Sequence, residues 1–125
     1  MTANPQDRTI VEASNEQLAI ESAELFRRIA VESVARDGRF SVALSGGSGP
    51  RPFHRLLADE PYRSAIPWAR THIFWVDERL VPPEDPASNF GTARNDFVAR
   101  LPIPRRHPEN WQHLHLSHRT RPRYP

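Results

Sequence analysis

The chain contains no cysteine and no lysine. Without cysteine there is no disulfide framework and no thiolate nucleophile or ligand. Without lysine there is no Schiff-base chemistry and no P-loop lysine. All 17 basic side chains are arginine. No apolar run approaches the roughly 20 residues of a membrane-spanning helix. The first residues, Met1 to Arg8, are polar and lack the apolar core of a secretory signal. The expectation is a cytoplasmic protein without a membrane partner. A length of 125 residues fits one domain, and a small one for a doubly wound α/β unit.

The pI near 9.9 invites a nucleic-acid reading, but the charge is unevenly spread. Residues 1–104 carry 12 arginines against 14 acidic side chains, whereas residues 105–125 carry five arginines against Glu109 alone. Basicity therefore belongs to the tail, and a nucleic-acid partner is not expected for the folded part. The composition divides the chain into residues 1–104, an α/β unit, and residues 105–125, a basic His- and Pro-rich tail read as disordered. Within that tail Trp111, Leu114 and Leu116 suit a short strand with nothing evident to pair with. His113 and His115 would share one strand face and suit zinc. No cysteine or carboxylate at ligand spacing completes a set, so no metal site is expected.

Along residues 1–104 the pattern alternates between strands and helices. Arg8 to Glu12 is a short β-like run around Ile10 and Val11. Ser14 followed by Gln17 reads as a capping box opening a helix, with Leu18, Leu25, Phe26, Ile29 and Val34 as its apolar face and Gly38 as its C-terminal stop. Phe40 to Leu44 and Thr71 to Val76 are apolar runs with almost no alternation, as in parallel strands buried on both faces. Pro50 and Pro52 suit the first turn of a helix burying Phe53, Leu56 and Leu57, and Pro61 and Pro67 mark the loop behind it. A Pro-rich loop over residues 80–89 leads to a helix from about Phe90 to Arg100, capped by Ser88 or Asn89. The predicted order is β-α-β-α-β-α, with connections of right-handed crossover length.

Two blocks carry the chemistry. The first is Leu44-Ser-Gly-Gly-Ser-Gly-Pro50, a Gly-rich turn between a strand and a helix. Glycines let backbone N–H groups approach an anion, the helix dipole adds favourable potential, and the Ser45 and Ser48 hydroxyls donate as well. Ser45, Gly46, Gly47 and Ser48 are the candidate phosphate-binding residues. The block is not a Walker loop or a dinucleotide fingerprint, and the serine-hydrolase elbow fails because Pro50 stands where it needs glycine. The second block is Phe74-Trp-Val-Asp-Glu-Arg79, with Ser88-Asn89 behind it. It delivers Asp77, Glu78 and Arg79 at a strand end, where open α/β sheets bind ligands. Arginine suits phosphate or carboxylate oxygens and can stabilise an oxyanion. The plainer alternative is a surface ion pair between Asp77 and Arg79, worth little.

This ordered pair of blocks, with Trp68 and Val81-Pro82 at fitting positions, resembles the 6-phosphogluconolactonase family within the glucosamine/galactosamine-6-phosphate isomerase superfamily. The resemblance spans roughly residues 10–104, and the family's longer chains make this sequence read as an N-terminal half. It implies a three-layer, Rossmann-like parallel sheet with helices on both faces, here truncated. It implies hydrolysis of 6-phospho-D-glucono-1,5-lactone to 6-phosphogluconate in the pentose phosphate pathway, without a cofactor. Arg79 would lie near the lactone or phosphate as the catalytic residue, Asp77 would order the loop or a partner side chain, and Asn89 would join the pocket.

Two departures bear on function. Gly49 stands where the family has threonine. The family's general base is a histidine in a later motif, G-x-G-x-D-G-H-T-A-S, that this sequence lacks. A non-catalytic sugar-phosphate-binding remnant is therefore an alternative to a weak lactonase. Glucosamine-6-phosphate deaminases share the resemblance, but their matching block ends in D-E-Y, whereas Arg79 and the Leu44-Ser-Gly-Gly run fit the lactonases. A truncated sheet would also leave an unpaired edge open to self-association.

Overall fold

The computed structural model describes residues 9, 11–12 and 14–103. The expected run at Arg8–Glu12 falls partly outside the described residues, and the tail with its histidine pair falls wholly outside.

Helix α1 spans Asn15–Asp37. The Ser14 hydroxyl accepts from the Gln17 N–H at 3.1 Å, satisfying one of the donors a helix start leaves orphaned. At the other end Gly38, with φ of 76°, donates its N–H to the Val34 carbonyl. The buried stripe is Ala19, Ala23, Phe26 and Ala30. Leu18 and Ile29, expected on that face, are 40% and 42% exposed. Small side chains let this helix lie close to its neighbours, so the contact stripe runs through the alanines.

Strand β1, Phe40–Leu44, leads through the Gly-rich turn to α2, Arg51–Leu57. The loop expected around Pro61 and Pro67 contains a single-turn helix α3, Tyr62–Ala65, and a 3₁₀ turn at Trp68–Arg70. Strand β2, Thr71–Trp75, then pairs parallel with β1, Phe40 opposite Thr71 and Leu44 opposite Trp75. Helix α4, Asn89–Asp96, is shorter than expected. Phe97 leaves helical geometry at φ −149° and ψ −38°, and its side chain is fully buried.

The register puts Phe40, Val42, Leu44, Thr71, Ile73 and Trp75 on one sheet face and Ser41, Ala43, His72 and Phe74 on the other. The first face meets α1, whose Phe26 ring lies edge-on to Phe40 at 5.2 Å and 5.7 Å from Trp68. Leu57, Ile73, Trp68 and Phe97 fill the core. Among the described residues the second face is open: Phe74 is 44% exposed, and Val76 beyond it 66%. Two-sided burial is corrected for the described residues, and of the expected three-layer arrangement they contain the parallel sheet and its helix-covered face. The described residues form a two-stranded parallel sheet flanked by helices, with one face bare. A run of apolar residues does not distinguish a strand covered on both sides from one whose second cover lies elsewhere. No helix among the described residues is long and apolar enough to cross a membrane.

Candidate functional site

The carboxyl ends of both strands open into a cleft of about 270 Å³. Ser45, Gly46, Gly47 and Ser48 form one wall. Gly47 has φ of 91°, which a side chain would strain. Gly46 has no room for one: an added Cβ would fall on the Asn89 side-chain amide. The turn is therefore drawn against the start of α4. Helix α2 has only seven residues, so its dipole adds little, and an anion here depends on the turn's own donors and on nearby guanidinium groups.

Arg79 and Asn89 form the second wall, and their side chains are bonded through Arg79 Nη1 and Asn89 Oδ1. Asn89 Nδ2 donates to Asp77 twice, to its carbonyl at 3.1 Å and its carboxylate at 3.2 Å. Asn89 is thus fixed at both ends of its amide and is 6% exposed. Asp77 does not line the cleft; it orients Asn89. No Asp77–Arg79 ion pair forms among the described residues, so the surface-pair alternative is not what the geometry contains.

Glu78 organises this corner. One carboxylate oxygen accepts from the N–H groups of Arg79 and Asn89, each at 2.8 Å. The other accepts from the Phe90 N–H at 2.8 Å and the Ser88 hydroxyl at 3.2 Å. Ser88 Oγ in turn accepts from the Gly91 N–H. Burial alone would raise the Glu78 pKa. The backbone bonds to Phe90, Arg79 and Asn89 outweigh it and hold the carboxyl below the usual range.

Helix α2 supplies two cleft residues that the sequence did not single out for the site. Arg51 makes a two-pronged bond with Asp96, at 2.8 and 3.1 Å. His54 is 3% exposed, lies 5.2 Å from the Phe53 ring and 5.1 Å from the Phe97 ring, and its Nε2 has no hydrogen-bond partner among the described residues. Burial pushes its pKa down to about 4, against a weaker opposing pull from Asp96, so the ring is neutral. Trp75, at the end of β2, also lines the cleft, and its indole N–H has no partner among the described residues. Position gave one usable signal: Arg51 directly follows the Gly-rich turn. Its partner lies 45 residues away, which no local pattern reports.

A Gly-rich turn closing one parallel strand, joined through Asn89 to an arginine from the next strand, defines an α/β protein with an arginine-bearing cleft at its strand ends. The chain belongs to the family described as glucosamine-6-phosphate isomerases/6-phosphogluconolactonase, whose model matches residues 13–122. The match runs past Pro104, so the resemblance is wider than the motifs alone delimited. The chain is 38% identical over 89 residues to "6-phosphogluconolactonase 3, chloroplastic" of Arabidopsis thaliana, covering 71% of this chain and 27% of that protein. It is 42% identical over 72 residues to the 6-phosphogluconolactonase of a Nostoc species, covering 58% of this chain and 28% of the other. Among solved structures, the 6-phosphogluconolactonase of Trypanosoma cruzi superposes with a TM-score of 0.65 at 31% identity, over 74% of this chain and 35% of that one. The chain thus spans about a third or less of these relatives.

Proposed function

We propose that the cleft binds 6-phospho-D-glucono-1,5-lactone or its hydrolysis product, and that the chain carries the sugar-phosphate-binding part of a 6-phosphogluconolactonase. The observation that carries this reading is the junction of Gly46, Asn89 and Arg79. It brings a turn suited to phosphate and a fixed guanidinium into one cleft. Ser45, Gly46, Gly47 and Ser48 would take the phosphate through backbone N–H groups and hydroxyls. Arg79, held by Asn89, would face the lactone carbonyl and stabilise the oxyanion formed when water attacks. Asp77 would act at one remove, by orienting Asn89.

Hydrolysis also needs a base to take a proton from water. His54 is the only histidine lining the cleft among the described residues, and its Nε2 is sealed from solvent between aromatic rings. It is not placed to activate water. The histidine-bearing motif of the resembling family is missing from the sequence. The chain is accordingly read as a binder with weak or lost hydrolysis. Arg79 in place of the tyrosine of the deaminase block favours the lactone over an amino sugar. The bare face of the sheet is read as the position of the second helix layer in a whole three-layer domain.

The test is lactone hydrolysis by the purified chain, with spontaneous opening subtracted, beside titration with 6-phosphogluconate and an Arg79→Ala control. Binding that weakens at least tenfold in the control, with hydrolysis at background, is the expected result. Absence of saturable binding in the unmodified chain would sink the reading.

A further inference from the structure

Arg51 is the first residue of α2, and its backbone N–H reaches back to the Ser48 carbonyl at 3.4 Å, so it adjoins the Gly-rich turn. Its Nε and Nη2 grip the two oxygens of Asp96, the fork-to-fork geometry that fixes a guanidinium plane. Asp96 is 8% exposed, at the last position of α4. Arg55 approaches the same carboxylate at 3.5 Å. Two guanidiniums therefore share one carboxylate, and the cluster keeps one positive charge in excess. The grip uses two of the five N–H donors that a guanidinium carries. Arg51 is also a wall of the cleft, while its side chain is 41% exposed. An arginine serving only to tie α2 to α4 has no need to border the cleft beside the turn.

We propose that Arg51, held in place by Asp96, is a second guanidinium of this site and binds the phosphate end of the ligand, leaving Arg79 for the lactone or carboxylate end. This rests on the sugar-phosphate reading above and deepens it. Arg51 adjoins the turn in sequence and by hydrogen bond, whereas Arg79 is fixed by Asn89 at the end of β2. The two arginines therefore read opposite ends of one ligand. Asp96 touches no ligand; it is a positioning residue that sets the plane of Arg51. The arrangement selects a phosphate dianion at one end of the ligand and does not depend on the charge of the other.

The experiment titrates the full chain with 6-phosphogluconate, gluconate and inorganic phosphate, following binding calorimetrically and folding by circular dichroism. The variants are Arg51→Gln, Arg51→Lys, Arg79→Ala and the double change Arg51→Gln/Asp96→Asn, which leaves no buried carboxylate unpaired. Loss of a charge-assisted contact predicts about 10–100-fold weaker binding of 6-phosphogluconate and inorganic phosphate in Arg51→Gln and in the double variant, with gluconate unchanged. Arg51→Lys should recover only part of the loss, since an ammonium cannot use the fork. A folded double variant with unchanged phosphate affinity would make Arg51 a brace between helices and overturn the inference. If Arg79→Ala alone weakens binding, the sugar-phosphate reading stands and the inference falls. If the unmodified chain binds neither phosphate compound, both fall.

Discussion

His54 makes the stability of this protein fall as pH drops from 7 to 5. The ring sits between Phe53 and Phe97, 3% exposed, with a pKa lowered from 6.5 to about 4 by burial. In the unfolded chain the imidazole takes up a proton below its ordinary pKa; in the folded chain it does so only near the lowered one. Between the two, acid favours the unfolded state, and stability falls as pH falls. The full span of about 2.5 units corresponds to roughly 3 kcal/mol, and going from pH 7 to pH 5 realises about 2 kcal/mol of it. Glu78 and Asp96 have pKa values below their ordinary 4.5 and 3.8, so their contributions persist at pH 5. The perturbation is His54→Phe, which keeps an aromatic ring among aromatic neighbours and removes the titrating nitrogen. Urea unfolding at both pH values should show the unmodified protein losing about 2 kcal/mol more than the variant. The other histidines are present in both proteins and cancel. Parallel losses in the two proteins would mean that His54 titrates at its ordinary value, and the burial argument would fail.

Glu78→Gln removes the charge that accepts from Arg79, Asn89, Phe90 and Ser88, and should cost about 2–3 kcal/mol in urea unfolding; an unchanged midpoint would refute its organising role. Gly46→Ala places a methyl group on the Asn89 amide, so the fold should survive while 6-phosphogluconate affinity falls about tenfold, a loss of one lesser contact. Undiminished affinity there would show that the turn has slack. Gly49 has open space around its missing Cβ and no positive φ, so Gly49→Thr should raise stability by about 0.5 kcal/mol and tighten phosphate binding; a lowered melting temperature would contradict the geometry. Among the described residues one sheet face is bare and each strand has an unpaired edge, so light scattering should show association that grows with concentration and is reduced by Phe74→Lys. A monomer at every concentration would dismiss that expectation.

Local chemistry was legible and distance was not. The Ser14–Gln17 cap, the Gly38 stop and both strands could be read because each depends on residues within four or five positions of one another. The buried stripe of α1 was legible in part: Phe26 and Val34 do pack with the core, but Leu18 and Ile29 do not, because close packing selected Ala19, Ala23 and Ala30. Helix α3 was hidden by the prolines on either side of it, although proline is well tolerated just before a helix. The end of α4 was overrun because Phe97 gains more from the core than from continuing the helix. In the cleft, the turn residues, Arg79 and Asn89 carried recognisable motifs. The Arg51–Asp96 pair spans 45 residues and the His54 surroundings join α2 to Phe97, so only folding brings them together.

The start of α4 would be the more obvious landing place for a phosphate, since it has eight residues and lies beside the cleft. Glu78 already sits there, its carboxylate filling the N–H groups of Asn89 and Phe90. The chain thus carries its own resident anion at that helix start. A dianion bound as proposed above would meet like charge at that helix and none at the glycine turn. On the sugar-phosphate reading, Glu78 would therefore serve the direction of ligand entry as well as the fold.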